Sequence, residues 1–110
     1  MNDFYLRVYE VVQQIPYGKV CTYGDIAAFL GAKSSSRLVG YAMNYAHHYD
    51  SNIPAHRVVN RNGMLTGKFH FETPTLMQQL LENEGFIIEK DSIQDFDNKR
   101  WYPDSLLEEI

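Results

Sequence analysis

Apolar residues in the first stretch of the chain, Phe4, Val8, Val11, Val12 and Ile15, fall at spacings of 4, 3, 1 and 3. That stripe predicts an amphipathic helix with Asp3 as its N-cap, ended by Ile15-Pro16-Tyr17-Gly18. Lys19-Val20-Cys21 reads as a short extended piece. Thr22 then opens a second helix, with Asp25 near capping-box spacing, Ile26, Ala27 and Leu30 on its apolar face, and Gly31 just past its end. One of Ser34, Ser35 or Ser36 caps a third helix running to about Tyr45, with Leu38, Val39, Ala42 and Met43 turned inward. His47 to Asn52 reads as a polar loop. Arg57-Val58-Val59, the turn Asn60-Arg61-Asn62-Gly63 and Met64-Leu65 read as a hairpin. Thr73 as N-cap and Pro74 at the first helical position start a last core helix, with Leu76, Met77, Leu80 and Leu81 as its stripe and Gly85 as its stop. Phe86-Ile87-Ile88 is a short strand, 89–100 a charged connector, and Trp101-Tyr102-Pro103 docks a tail whose Leu106, Leu107 and Ile110 pack locally.

Helix, short glycine-containing turn and helix make the spacing of a helix-turn-helix unit, and the hairpin after it has the place of a wing. The expected fold is mainly α with a small β wing, a winged helix-turn-helix domain over residues 1–88. Residues 89–110 form an acidic extension packed on the same domain. A chain of 110 residues with 45% hydrophobic and 22% charged positions supports one core.

No apolar run approaches the ~18–20 residues of a membrane span, and Met-Asn-Asp-Phe-Tyr lacks the pattern of a signal peptide. The expectation is a soluble, monomeric, cytoplasmic protein without membrane contact. The single cysteine, Cys21, excludes an internal disulfide and a cysteine-rich zinc site, and reads as a buried structural residue. His47, His48, His56 and His70 lack companion ligands at metal spacing, so neither metal nor cofactor is expected.

Charge changes the picture. The net charge is −4, but residues 1–70 carry seven basic and four acidic side chains, a net of +3, while residues 71–110 carry three and ten, a net of −7. A polyanion is drawn to the first part and repelled by the second.

Pro54-Ala55-His56-Arg57-Val58-Val59 closely resembles the Pro-Cys-His-Arg-Val signature of the alkylguanine-DNA alkyltransferases, with alanine in place of the reactive cysteine. Ile15-Pro16-Tyr17-Gly18-Lys19-Val20 and Thr22-Tyr23-Gly24-Asp25-Ile26-Ala27 resemble that family's run into the helix-turn-helix. Ser36-Arg37-Leu38-Val39-Gly40-Tyr41-Ala42-Met43 resembles its recognition helix, Asn62-Gly63-Met64-Leu65-Thr66-Gly67 the turn after the signature, and Glu82-Asn83-Glu84-Gly85 the last core helix. The similarity spans roughly residues 4–88. With the missing nucleophile it points to the alkyltransferase-like branch, which binds damage without repairing it.

The resemblance implies roles. Tyr23 matches the tyrosine that crowds the phosphate beside a flipped nucleotide, and Arg37 the arginine finger that replaces the departed base. Lys19, Lys33 and Ser35 are candidate phosphate contacts. The implied partner is double-stranded DNA carrying O6-alkylguanine, entered from the minor groove, with hand-over to nucleotide excision repair. The expected lesion pocket is built from Tyr23, Pro54, Ala55, Val58, Met64 and the loop 66–71, with Lys68 or Phe69 near the alkylated oxygen. His56 and Glu84 match the relay that activates the family's cysteine, and Asn44 falls where the family has an active-site asparagine.

Chemistry alone supplies the consequence of Ala55. Irreversible acceptance of an alkyl group needs a nucleophile, for which a thiolate is suited at neutral pH, and a methyl group offers none. The expectation is a binding protein, not an enzyme. The alternatives are a winged-helix transcriptional regulator, a residual alkyltransferase or hydrolase using Cys21 or water on His56, and a protein-interaction module using the acidic tail.

Overall fold

A computed structural model describes residues 2–109; Ile110, expected to pack in the tail, lies outside the described residues. Helix α1 (Asp3–Val12) forms on the expected stripe, with Val8, Val11 and Val12 buried and Ile15 buried in the turn beyond. Its cap is Asn2 rather than Asp3. Asn2 Oδ1 accepts the Phe4 amide proton at 2.7 Å, so Asp3 sits in the first turn, where its charge suits the helix dipole.

Strand β1 (Cys21–Thr22) leads directly into α2 (Tyr23–Phe29), and the Thr22 hydroxyl caps that helix by accepting from the Asp25 amide at 3.0 Å. Gly31, at φ +77°, closes it as expected. Helix α3 (Ser36–Tyr49) packs on α1 and α2, completing the helix-turn-helix. It runs one turn further than Tyr45. His47 and His48 are therefore helical and not in a polar loop, because Val39, Ala42, Met43 and Ala46 continue the buried face. Tyr49 stacks on Tyr9 at 5.1 Å and holds the last turn down.

Ala55–Arg57 form a single 3₁₀ turn before β2 (Val58–Val59). The strand at 58–59 exists, but its partner is β1, in parallel register Cys21↔Val58 and Thr22↔Val59. Both valines are buried, which suits an apolar strand covered on both faces better than a hairpin arm with one wet side. The turn after it does form. Asn60 Oδ1 accepts from the Asn62 and Met64 amides at 2.9 and 2.8 Å, and Gly63 takes φ +76°. The expected returning strand is reduced to a bridge between Met64 and Ser92.

A second 3₁₀ turn covers Lys68–His70. Helix α4 (Leu76–Asn83) starts two residues after Pro74, with Thr75 and not Thr73 at its N-cap, and buries Met77 and Leu81. The strand expected over 86–88 forms at Ile88–Glu89, and the stretch 89–100 is regular structure and not a connector. Strands β3 (Ile88–Glu89) and β4 (Ser92–Ile93) pair antiparallel across a two-residue turn in which Lys90 and Asp91 both have positive φ. A four-residue helix, α5 (Phe96–Lys99), follows.

The chain then returns to the front of the molecule. Val20 N–H donates to Lys99 O at 3.0 Å and Trp101 N–H to Val20 O at 2.7 Å. Arg100 grips Asp25 with two nitrogens, at 2.9 and 3.1 Å. A 3₁₀ run over Pro103–Glu109 lies against α2, and there Leu107 is exposed rather than packed.

The architecture is mainly helical with a small sheet. One core lies under α1–α3, and a second joins Val20, Val59, Leu65, Met77, Leu81, Phe86 and Ile93. Among the described residues no helix is long and apolar enough to cross a membrane.

Candidate functional site

The sequence around the 3₁₀ turn builds a charged knot. Pro54 precedes it, and the Arg57 amide donates back to Pro54 O at 3.0 Å. The turn projects His56 and Arg57 toward Glu84, the residue that ends α4. His56 Nε2 stands 2.5 Å from Glu84 Oε2. Arg57 Nε donates to both carboxylate oxygens at 3.0 and 3.1 Å, and its guanidinium also reaches Ile15 O at 3.0 Å. The Gly18 amide donates to Glu84 Oε1 at 2.8 Å. Glu84 thus ties the end of α1, the signature turn and the end of α4 together.

The electrostatics follow from the partners. Burial alone would raise the Glu84 carboxyl. The hydrogen bonds from Arg57, the Gly18 amide and His56 outweigh it and hold the group below its ordinary value. Burial holds the His56 imidazole below its ordinary value, and the Arg57 charge adds to that against the pull of Glu84. Ala55, half-buried beside this pair, carries no atom that a base could activate. Cys21 is fully buried in β1, and burial pushes its thiol far above the usual range, away from the thiolate.

A second group lies at the start of α3. Tyr23 opens α2, and burial raises its phenol against a smaller opposing effect of the nearby Thr66 side chain. The Tyr23 hydroxyl lies 3.0 Å from where a Cβ on Gly67 would stand, so glycine lets the loop close over the ring. Arg37, in the first turn of α3, is exposed and has no hydrogen-bond or salt-bridge partner among the described residues. Lys33 is exposed on the preceding loop, and Ser35 sits at the α3 N-cap without capping it. Lys19, in contrast, donates its ammonium to Asn98 O at 2.8 Å.

The residues expected to share one pocket are divided among three concavities. Tyr23 and Arg37 line the first, of about 380 Å³, with Gly40, Tyr41, Asn44 and His70. Pro54, Ala55 and His56 line the second, of about 580 Å³, behind the signature turn. Met64, Lys68 and Phe69 line a third, of about 290 Å³, together with Asp91. Lys68 is engaged there by Asp91 Oδ2 at 2.6 Å, and Phe69 points outward at 72% exposure. Val58 lines none of them, since pairing with Cys21 puts it in the core at 1% exposure.

His70 stands in the walls of both the first and second concavities. It lies in the loop 66–71 expected to line the pocket, whereas Tyr41 was not among the expected pocket residues. Arg37, Tyr41 and Asn44 are spaced by four and three, a helical face that marks them once α3 is drawn to its full length. His47 and His48, once helical, also face the second cavity. Among the described residues no group of three or more His, Cys, Asp or Glu is arranged to hold a metal ion.

Comparison with known proteins bears on this geometry. The family model described as 6-O-methylguanine DNA methyltransferase, DNA binding domain, matches residues 3–86. Alkyltransferase-like protein 1 of Schizosaccharomyces pombe is 38% identical over 96 residues, covering 87% of this chain and 88% of the relative. A DNA base-flipping protein of Escherichia coli is 36% identical over 104 residues, covering 91% of this chain and 75% of the relative. The crystal structure of S. pombe Atl1 in complex with damaged DNA containing O6-carboxymethylguanine superposes with a TM-score of 0.82 at 36% identity, covering 94% of this chain and 98% of that one. The chain spans about half the length of a methylated-DNA–protein-cysteine methyltransferase of Salmonella typhimurium that it also matches.

Proposed function

The chain belongs to the family of the 6-O-methylguanine DNA methyltransferase DNA-binding domain, and from that premise we propose that it binds duplex DNA carrying an O6-alkylated guanine and holds the lesion without removing the alkyl group. The observation that carries this reading is Ala55. It precedes a histidine still paired with Glu84 at 2.5 Å, in a site where the one thiol of the chain is buried elsewhere in the core. The scaffold of a transfer site is kept and the nucleophile is not.

Binding a lesion hidden in the base stack means rotating its nucleotide out, at a cost of a few kcal/mol. Arg37 is suited to fill the gap, because its guanidinium is free, planar and able to stack or donate to the orphaned base. Tyr23, held by packing against the core, is suited to press on the backbone beside the target. Lys33 and Ser35, in the segment leading into α3, are suited to phosphate contacts. Lys19 would first have to release Asn98. Approach from the minor groove fits the small Gly40 beside Arg37, which leaves open space on the helix face. In this reading the protein acts as a monomer, and removal of the adduct falls to nucleotide excision repair.

The test compares affinities for matched duplexes with and without one O6-methylguanine, followed by mass analysis of the recovered DNA. Lesion-dependent binding with the methyl group still on the base is expected. Dealkylated DNA, or equal affinity for both duplexes, overturns the proposal. Sequence-selective binding that ignores the lesion would instead identify a transcriptional regulator.

A further inference from the structure

Beyond residue 86, where the match to the family's DNA-binding domain ends, the chain turns back onto the helix-turn-helix. Residues 99–101 lie alongside Val20, which donates to Lys99 O at 3.0 Å and accepts from the Trp101 amide at 2.7 Å. From there Arg100 reaches Asp25, in the first turn of α2, with two nitrogens at 2.9 and 3.1 Å. Resting on the function proposed above, we infer that Arg100 is a positioning residue for lesion recognition. Its fork on Asp25 fixes the orientation of α2 and so aims Tyr23 at the backbone beside the flipped nucleotide.

The need for such a brace follows from the length of the helix. Helix α2 has seven residues, and two turns are marginal on their own in water, so its neighbours decide where it points. The Thr22 hydroxyl accepts from the Asp25 amide at 3.0 Å, and Arg100 holds the carboxylate of the same residue. Backbone and side chain of Asp25 are thus tied from two directions. Tyr23 stands two residues earlier and packs on the core under α1–α3, with its hydroxyl 3.0 Å from the place of a Cβ on Gly67. With the loop that close, a rotation of α2 has to shift the ring.

Arg100 is itself held in place. Its guanidinium lies over the Tyr102 ring at 4.8 Å and the Phe96 ring at 5.6 Å, and Trp101 beside it packs on the same core as Tyr23. The Arg100 and Asp25 side chains are only 23% and 20% exposed, which shields the pair from water. A planar fork seated on rings leaves the carboxylate one place to sit, a constraint that a flexible ammonium would not impose. Tyr102 and the 3₁₀ run after it complete the brace, since that run lies against α2.

The experiment measures the ratio of affinities for an O6-methylguanine duplex and the matched plain duplex in the unaltered protein, Arg100→Gln, Asp25→Asn and the double variant, at a temperature where melting curves show each to be folded. The single substitutions move the local charge in opposite directions. A plain effect of charge on a polyanion would therefore weaken binding in one and strengthen it in the other, for both duplexes alike. Misaiming Tyr23 instead lowers the ratio in both, by about fivefold or more, and the double variant falls no further than the singles because all three break one pair. Arg100→Lys keeps the charge without the fork and should lower the ratio less; it stands in should Arg100→Gln fail to fold. A ratio unchanged in the single variants, or losses that add fully in the double variant, overturns the inference while leaving lesion recognition intact. Equal affinity of the unaltered protein for the two duplexes overturns the proposed function and this inference with it.

Discussion

Glu84 Oε2 stands 2.5 Å from His56 Nε2, yet the residue before His56 is an alanine that nothing can activate. The same carboxylate also accepts from Arg57 and from the Gly18 amide, with its side chain only 6% exposed. In this chain the pair is therefore a structural joint. It orients the signature turn against α4 and neutralises the partly buried Arg57 guanidinium.

Replacing Glu84 with alanine should accordingly be costly for the fold. Removal leaves Arg57 charged, partly buried and without a counter-ion, and leaves the Gly18 amide without its acceptor. Breaking one partner out of such a buried pair costs about 3 kcal/mol. Urea denaturation is expected to show that loss, while the fraction still folded keeps its preference for alkylated DNA. An unchanged midpoint would mean the joint contributes nothing.

The same network sets a pH dependence. His56 is held below its ordinary value, so between that value and its folded one the unfolded chain takes up a proton that the native chain refuses. Stability is full above the ordinary histidine pKa of 6.5 and falls as the solution becomes more acid. Glu84, also lowered, adds a second loss as pH falls from its ordinary 4.5 toward its folded value. Thermal melting followed downward from pH 7 should show a falling Tm. His56→Gln should reduce the fall in the upper part of the curve, the remainder coming from His47, which burial and the charges of His70 and His48 also hold below its ordinary value. A Tm that rises on mild acidification would contradict both signs.

How much of this was legible in the sequence depended on the range of the forces involved. The helical stripes and the Thr22 cap are local, and most of them formed where the pattern placed them, but Leu38, expected to turn inward on α3, is exposed. The parallel pairing of Cys21 with Val58 spans the chain, and no nearby turn encodes it. The β3–β4 turn was hidden because Lys90-Asp91 adopt positive φ without the glycine that normally advertises it. At the site, the motif marked Tyr23, Arg37, Ala55 and His56 by position alone. The division into separate cavities depends on where the 66–71 loop packs, and its Lys68 was captured by Asp91, a residue 23 positions away.

Arg37 offers a cleaner separation of binding from folding. It is exposed and has no hydrogen-bond or salt-bridge partner among the described residues, so Arg37→Ala should leave thermal stability within about 0.5 kcal/mol of the parent. Affinity for a duplex with O6-methylguanine should fall by about tenfold or more, as expected for a central arginine at an interface. Fluorescence anisotropy and a melting curve on the same preparation decide the matter. Undiminished affinity would remove Arg37 from the base-flipping machinery.

The C-terminal segment gives the last prediction. A Cβ on Gly63 would lie 2.8 Å from Phe96 Cγ, and Gly63 also requires φ +76°, so the turn after the signature and α5 are fitted to each other with no slack. Gly63→Ala must distort the turn or expel Phe96, which carries Arg100 over its ring at 5.6 Å. Arg100 is in turn the partner of Asp25 in α2, so strain at Gly63 travels toward the helix that presents Tyr23. The substitution is expected to cost about 2 kcal/mol or more and to raise hydrogen exchange at the Trp101 amide, which bonds to Val20 O. Phe96→Ala in the same chain relieves the clash but not the backbone strain, so it should restore only part of the loss once its own cavity is counted. Full additivity of the two changes would show that Gly63 and Phe96 do not bear on each other.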